Sequence, residues 1–116
     1  MSSDPHGELV RVADGSGPGA GRAKTALGDG STADRLRAAI LALACHRGPN
    51  SSICPSDAAR AVGGRDWRDL TEQSRSIAFE LAGDGDVQIT QRGAVVDPSR
   101  PAGGPIRIRM TSARKS

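Results

Sequence analysis

Apolar residues at helical spacing predict a first helix over residues 33–47. Its repeating positions are Leu36, Ile40, Leu43 and Ala44. Thr32 stands just before this pattern, and its hydroxyl is suited to capping the first backbone N–H groups. A glycine and a proline follow Arg47, and this pair is typical of the end of a helix.

Two further helices are predicted on either side of a glycine pair. The first is short, covering residues 56–62, and Gly63 and Gly64 then form a tight turn. The next is predicted over residues 66–82 as one continuous helix. One sector of its helical wheel carries Trp67, Leu70, Ser74, Ile77, Ala78 and Leu81. We therefore expect Trp67 to anchor this helix in the core.

After the third helix the apolar period changes to two, which predicts a small antiparallel sheet. Residues 87–90 and 95–96 should pair as a hairpin around a turn at residues 91–93. The clearest alternation follows a turn-rich loop and covers residues 106–110. Its apolar face consists of Ile106, Ile108 and Met110, and its outer face of Arg107 and Arg109.

This order of elements is that of a winged-helix domain (winged helix-turn-helix), an α+β fold expected over residues 33–110. In such domains the third helix can enter the major groove of double-stranded DNA while the hairpin contacts the flanking backbone. The expected function is DNA binding, as in a transcriptional regulator. Candidate contacts are Arg68, Thr71 and Arg75 on the third helix, Arg92 at the hairpin tip, and Arg107 and Arg109 on the last strand.

The charge distribution agrees only in part with DNA binding. The chain has 16 Lys and Arg against 13 Asp and Glu, a net charge of +3. The third helix and its approach contain Asp66, Asp69, Glu72 and Glu80 against Arg65, Arg68 and Arg75. A surface that neutralises phosphates should be basic. Arg107 and Arg109 on the last strand can equally serve to prevent strand aggregation.

The alternative function is a winged-helix module that binds protein without binding DNA. Its partner would be another domain or a second copy of the chain. Phe79 falls beside the exposed face of the third helix, where it either packs under the hairpin or forms the partner surface.

Both ends of the chain are predicted to be disordered tails. Residues 1–32 contain 7 of the 15 glycines and no lasting helical or strand period, although residues 8–13 could form a short strand. Residues 111–116 form the second predicted tail. Neither a long apolar run nor a secretory signal is present, so a cytoplasmic protein without a membrane partner is expected.

Composition gives little support to catalysis or metal binding. Trp67 and Phe79 are the only aromatic residues, and about 80 folded residues can scarcely build a substrate pocket. We therefore expect no enzyme and no cofactor. Cys45, His46 and Cys54 lack the spacing of a zinc site, so no metal is expected either. Cys54 is predicted to be a small buried residue that packs the second helix against the first.

Several short motifs occur between residues 36 and 109. They are CPSDAARAVG at 54–63, W-R-x-L at 67–70, Arg75, LAGDGDVQITQRG at 81–93, VDP at 96–98 and GPIRIR at 104–109. In these motifs the chain resembles DUF3253, a bacterial domain of unknown function. The family looks like small winged-helix proteins, so the resemblance implies the fold and assigns no activity.

Overall fold

The computed structural model describes residues 5–15, 20–48, 51–99 and 103–110. Within these residues, five α-helices and a small antiparallel sheet form an α+β fold. The helices are α1 (Pro5–Asp14), α2 (Ala20–Leu27), α3 (Thr32–Arg47), α4 (Pro55–Gly63) and α5 (Thr71–Gly83), and the strands are β1 (Val87–Gln91), β2 (Ala94–Val95) and β3 (Arg107–Met110). A 3₁₀ segment, Gly64–Leu70, joins α4 to α5.

Helix α3 is the central helix and confirms the element predicted over residues 33–47. Eight of its 16 residues are buried, because α1, α2, α4, α5 and β3 all pack against it. Its N-cap is Ser31, whose Oγ accepts a hydrogen bond from the backbone N–H of Asp34 at 3.2 Å. Thr32 cannot take this role because it is already the first helical residue.

The helix predicted over residues 66–82 is two elements and not one. Residues 64–70 form the 3₁₀ segment, in which Asp66 departs from helical geometry (φ −98°, ψ 24°), and α5 begins at Thr71. A 3₁₀ helix has about three residues per turn, so the wheel drawn with 3.6 residues per turn misplaces the residues before α5. From Ser74 onward the prediction is confirmed. The buried residues of α5 are Ser74, Ile77, Ala78 and Leu81.

Trp67 does not anchor the core, contrary to the prediction. It lies in the 3₁₀ segment, none of whose residues is buried, and its ring is half-exposed. Large apolar side chains from α1, α3, α5, the sheet and the linker before α4 fill the core in its place. Those fully buried include Leu9, Leu36, Ile40, Leu43, Ile53, Leu81, Ile89 and Ile108.

The sheet has the order β2-β1-β3, with both pairs antiparallel. Ile89 of β1 stands opposite Ile108 of β3. Ile53, in the linker between α3 and α4, pairs with Ile108 from the other side through two backbone hydrogen bonds of 2.8 and 2.7 Å. The predicted alternation is confirmed, because Ile106 and Ile108 are buried and Arg107 is exposed.

The beginning of the chain differs from the disordered tail predicted over residues 1–32. Its described residues include α1 and α2, and residues 8–13 belong to a helix and not to a strand. Leu9 is fully buried, as are Ala23 and Ala26. Such sparse apolar positions do not stabilise a helix in isolation, but they suffice when a neighbouring apolar surface is available. The tail predicted at residues 111–116 lies outside the described residues.

The α1 helix is joined to the rest of the fold by a charged cluster. Arg47 donates from Nη2 and Nε to the Glu8 carboxylate at 2.8 and 3.2 Å, and its Nη1 lies 3.6 Å from Asp57 Oδ2. The hydrogen bonds to Glu8 raise the pKa of the Arg47 guanidinium above its ordinary value. Among the described helices, none is long and apolar enough to cross a lipid bilayer.

Candidate nucleic-acid interface

Helices α4 and α5 are joined by the 3₁₀ segment and held together by close contacts. A Cβ atom at Gly63 would lie 2.8 Å from Leu70 Cδ1, so only glycine leaves this approach undisturbed. Gly64 has φ +56°, which favours glycine. Ser74 Oγ of α5 donates a buried hydrogen bond of 2.8 Å to the carbonyl of Pro55 in α4. The turn and this bond fix the direction of α5 relative to α4.

The hairpin is held beside α5 through the loop that precedes β3. Arg75 Nη1 donates to the carbonyl of Gly104 at 2.7 Å. Gln91, the last residue of β1, donates from Nε2 to the carbonyls of Gly103 at 2.7 Å and Pro105 at 3.3 Å. The middle of α5 and the end of β1 therefore contact the same three-residue segment and lie on one surface of the molecule.

Arg92 lies at the tip of the hairpin, as the sequence predicts. It and Gly93 form the two-residue turn between β1 and β2, with φ +54° and +84°. Positive φ at both positions matches the twist of antiparallel strands. The Arg92 side chain is exposed, so this turn presents a cation at the end of the hairpin.

Arg68 is exposed in the 3₁₀ segment and stacks on Trp67, with 4.7 Å between its Cζ and the ring centre. The guanidinium of Arg60, on α4, lies over the same ring at 4.6 Å. The sequence did not indicate Arg60, because α4 and Trp67 belong to different elements and no spacing rule connects them. Thr71 is half-buried and its Oγ1 donates to the Trp67 carbonyl at 3.5 Å.

The other three predicted arginine contacts bond within the chain. Arg75 is half-buried between the Gly104 carbonyl and the ring of Phe79, which is 5.6 Å from its Cζ. Arg109 donates from Nε to Gln88 Oε1 at 3.1 Å. Arg107 donates to acceptors in the linker before α4. They are Ser52 Oγ at 2.9 Å, Ser52 O at 3.0 Å and Cys54 Sγ at 2.7 Å.

Phe79, the partner residue of the alternative function, packs half-buried against the core. Among the described residues, Val10 and Val95 are the exposed large hydrophobic side chains, with 36% and 58% of their surface accessible. Phe79 is therefore not the centre of an exposed apolar patch.

The outer side of α5 carries no exposed arginine. Its exposed polar side chains are Glu72, Gln73, Ser76 and Glu80. Glu80 forms an ion pair with Arg37 at 2.9 Å. The exposed cations of this region are Arg60 on α4, Arg65 and Arg68 in the 3₁₀ segment, Arg92 at the hairpin tip and Arg107 on β3.

Cys54 belongs to a different element from Cys45 and His46. Cys54 is the N-cap of α4 and contacts Arg107, whereas Cys45 is half-buried on α3 and His46 is exposed. In the part of the chain that the structure describes, no three His, Cys, Asp or Glu side chains come together as metal ligands. Cys54 is half-buried, and not fully buried as predicted.

Comparison with known proteins supports the resemblance seen in the motifs. No curated protein matches the chain. The family model described as a protein of unknown function, DUF3253, matches residues 33–111. This match begins at α3 and includes α4, α5 and the sheet, so the chain belongs to the DUF3253 family.

Proposed function

We propose that this chain is a winged-helix protein that binds double-stranded DNA, with Arg68 and Arg92 as its main phosphate contacts. The observation that carries this proposal is the joint attachment of α5 and the hairpin to the segment 103–105. In a winged-helix domain, a helix in the major groove and a hairpin on the flanking backbone must face the DNA together.

The cations available for phosphates differ from those expected from the sequence. Within the described part of the chain, neither Arg68 nor Arg92 forms an ion pair with a carboxylate. Both are exposed, so their charge is available to a backbone phosphate. Arg75, Arg107 and Arg109 instead each bond another part of the chain.

The exposed amide and hydroxyl of α5 are the groups suited to base edges. Gln73 and Ser76 lie three positions apart and are both exposed. A glutamine amide can bond both the N6 and N7 positions of adenine, and a serine hydroxyl accepts or donates to any base. The acidic Glu72 beside them keeps nonspecific attraction to the backbone weak.

The proposal is tested by fluorescence anisotropy with a labelled mixed-sequence duplex at low salt. With two arginine contacts, a plot of log Kd against the logarithm of the salt concentration should have a slope of about 2. The double variant Arg68→Ala with Arg92→Ala should remove most of the binding and flatten the slope. Arg22→Ala, an exposed arginine on α2, is the matched control and should bind as the wild type does.

Two results would contradict the proposal. One is no binding at a protein concentration of about 10 μM at low salt, where nonspecific attraction is strongest. The other is unchanged affinity and slope in the double variant.

A further inference from the structure

A groove lies between the end of β1, the start of α4 and the loop before β3. Its volume is about 440 Å³, within the range of small-molecule sites. Its walls include Cys54, Thr90, Arg92, Pro105, Ile106 and Arg107. A second recess of about 220 Å³, between α4 and α5, adjoins it and shares Cys54, Pro105 and Ile106.

Arg107 is a fixed cation in the wall of this groove. Its three hydrogen bonds go to a hydroxyl, a carbonyl and a thiol, and none of these acceptors is a carboxylate. In the described part of the chain Arg107 forms no ion pair. A guanidinium has five N–H groups, so two remain for a ligand. Because the side chain is already held in place, binding an anion there loses little conformational entropy.

The remaining walls determine what else the ligand must carry. Pro105 and Ile106 provide apolar contact, and Arg92 adds a second cation. The nearby carboxylate of Asp57 does not line the groove. It accepts the backbone N–H of Cys54 at 2.9 Å and lies against Arg47. The groove is thus cationic along one wall and apolar along another.

We propose that this groove binds a small organic anion, with Arg107 bonding its anionic group and Pro105 and Ile106 contacting its apolar body. The bound anion would lie between the hairpin and α4. Arg92 lines this groove and is also a proposed DNA contact, whereas Arg68 lines neither recess and Arg107 is not among the proposed DNA contacts.

The first test is a fluorescence titration with two probes of similar shape. One is 1-anilinonaphthalene-8-sulfonate, which carries an anion, and the other is N-phenyl-1-naphthylamine, which is neutral. Arg107→Gln should weaken binding of the sulfonate about tenfold, the effect of losing a charged hydrogen bond, and leave the neutral probe unchanged. Arg109→Gln is the matched control on the same strand and should change neither affinity.

The proposal is overturned if Arg107→Gln weakens both probes equally or neither, or if Arg109→Gln has the same effect as Arg107→Gln. A circular dichroism melt of each variant shows whether it is folded.

The second test keeps Arg107 and so does not depend on the folding of that variant. In a Cys45→Ser background, the rate of Cys54 alkylation by iodoacetamide is measured with and without the sulfonate probe. At ten times its Kd the probe should slow alkylation about tenfold, because the free fraction falls to roughly a tenth. An unchanged rate with bound probe would show that the probe occupies another place, and would overturn the proposal.

Discussion

At the scale of single residues, the sequence pattern indicates the face on which an arginine lies but not the acceptors it meets. Arg107 alternates with buried isoleucines as predicted, yet its partners Ser52 and Cys54 stand 55 and 53 positions earlier in the chain. Arg75 likewise bonds a carbonyl 29 positions later. Local patterns contain no information on such distant acceptors. Sequence alone could therefore not separate arginines that hold the fold from those available to a ligand.

Replacement of Arg75 tests whether it acts on the fold. Arg75→Ala should lower the free energy of unfolding by about 1 kcal/mol, because the bond to the Gly104 carbonyl and the contact with Phe79 are lost. Arg68→Ala removes only an exposed stacking contact and should cost about 0.5 kcal/mol or less. Urea unfolding of both variants measures the difference, and equal losses would contradict the structural role of Arg75.

At the scale of elements, predictions succeed where one period runs through the whole element. Helix α3 and strand β3 have such patterns, and both are found within one residue of their predicted bounds. Residues 64–70 begin at the second glycine of the pair and have a tighter helical period, so a single helical wheel drawn through them placed Trp67 in the core. The hairpin turn was predicted at residues 91–93, and the structure places it at Arg92 and Gly93, with Gln91 still in β1.

Two glycines at the end of α5 should respond to alanine in opposite ways. Gly83 is the last residue of α5, has no positive φ and would place its Cβ in open space, so Gly83→Ala should stabilise the fold by about 0.4–1 kcal/mol. Gly85 also has space around it but a φ of +86°, so Gly85→Ala should destabilise by about 1 kcal/mol or more. Thermal and urea unfolding of the two variants provide the comparison. A shift of the same sign in both would contradict the backbone geometry described for this helix end.

At the scale of the whole molecule, the first two helices contribute to the core although the family match does not cover them. Helices α1 and α2 precede residue 33, yet Leu9 and Ala26 belong to the same apolar cluster as Ile40. Residues 1–32 contain few apolar positions, so the sequence did not predict this packing. The apolar surface that stabilises α1 and α2 belongs to α3 and α4.

A pair of substitutions on α1 tests this packing. Leu9 is fully buried and Val10 is 36% exposed. Leu9→Ala should lower the free energy of unfolding of the whole chain by about 2–5 kcal/mol, the usual range for a truncated core leucine. Val10→Ala should change it by about 0.5 kcal/mol or less. If both substitutions leave the denaturation midpoint unchanged, α1 does not contribute to the core.

The pairing of Ile53 with Ile108 also determines where the chain can change in length. Only Cys54 separates this backbone bridge from the first residue of α4, and the carbonyl of that residue, Pro55, is bonded to Ser74. A single residue therefore links the sheet to α4. An inserted or deleted residue at position 54 would have to break the bridge or displace α4. Insertions and deletions are therefore tolerated far better in the surface loops than in this one-residue connection.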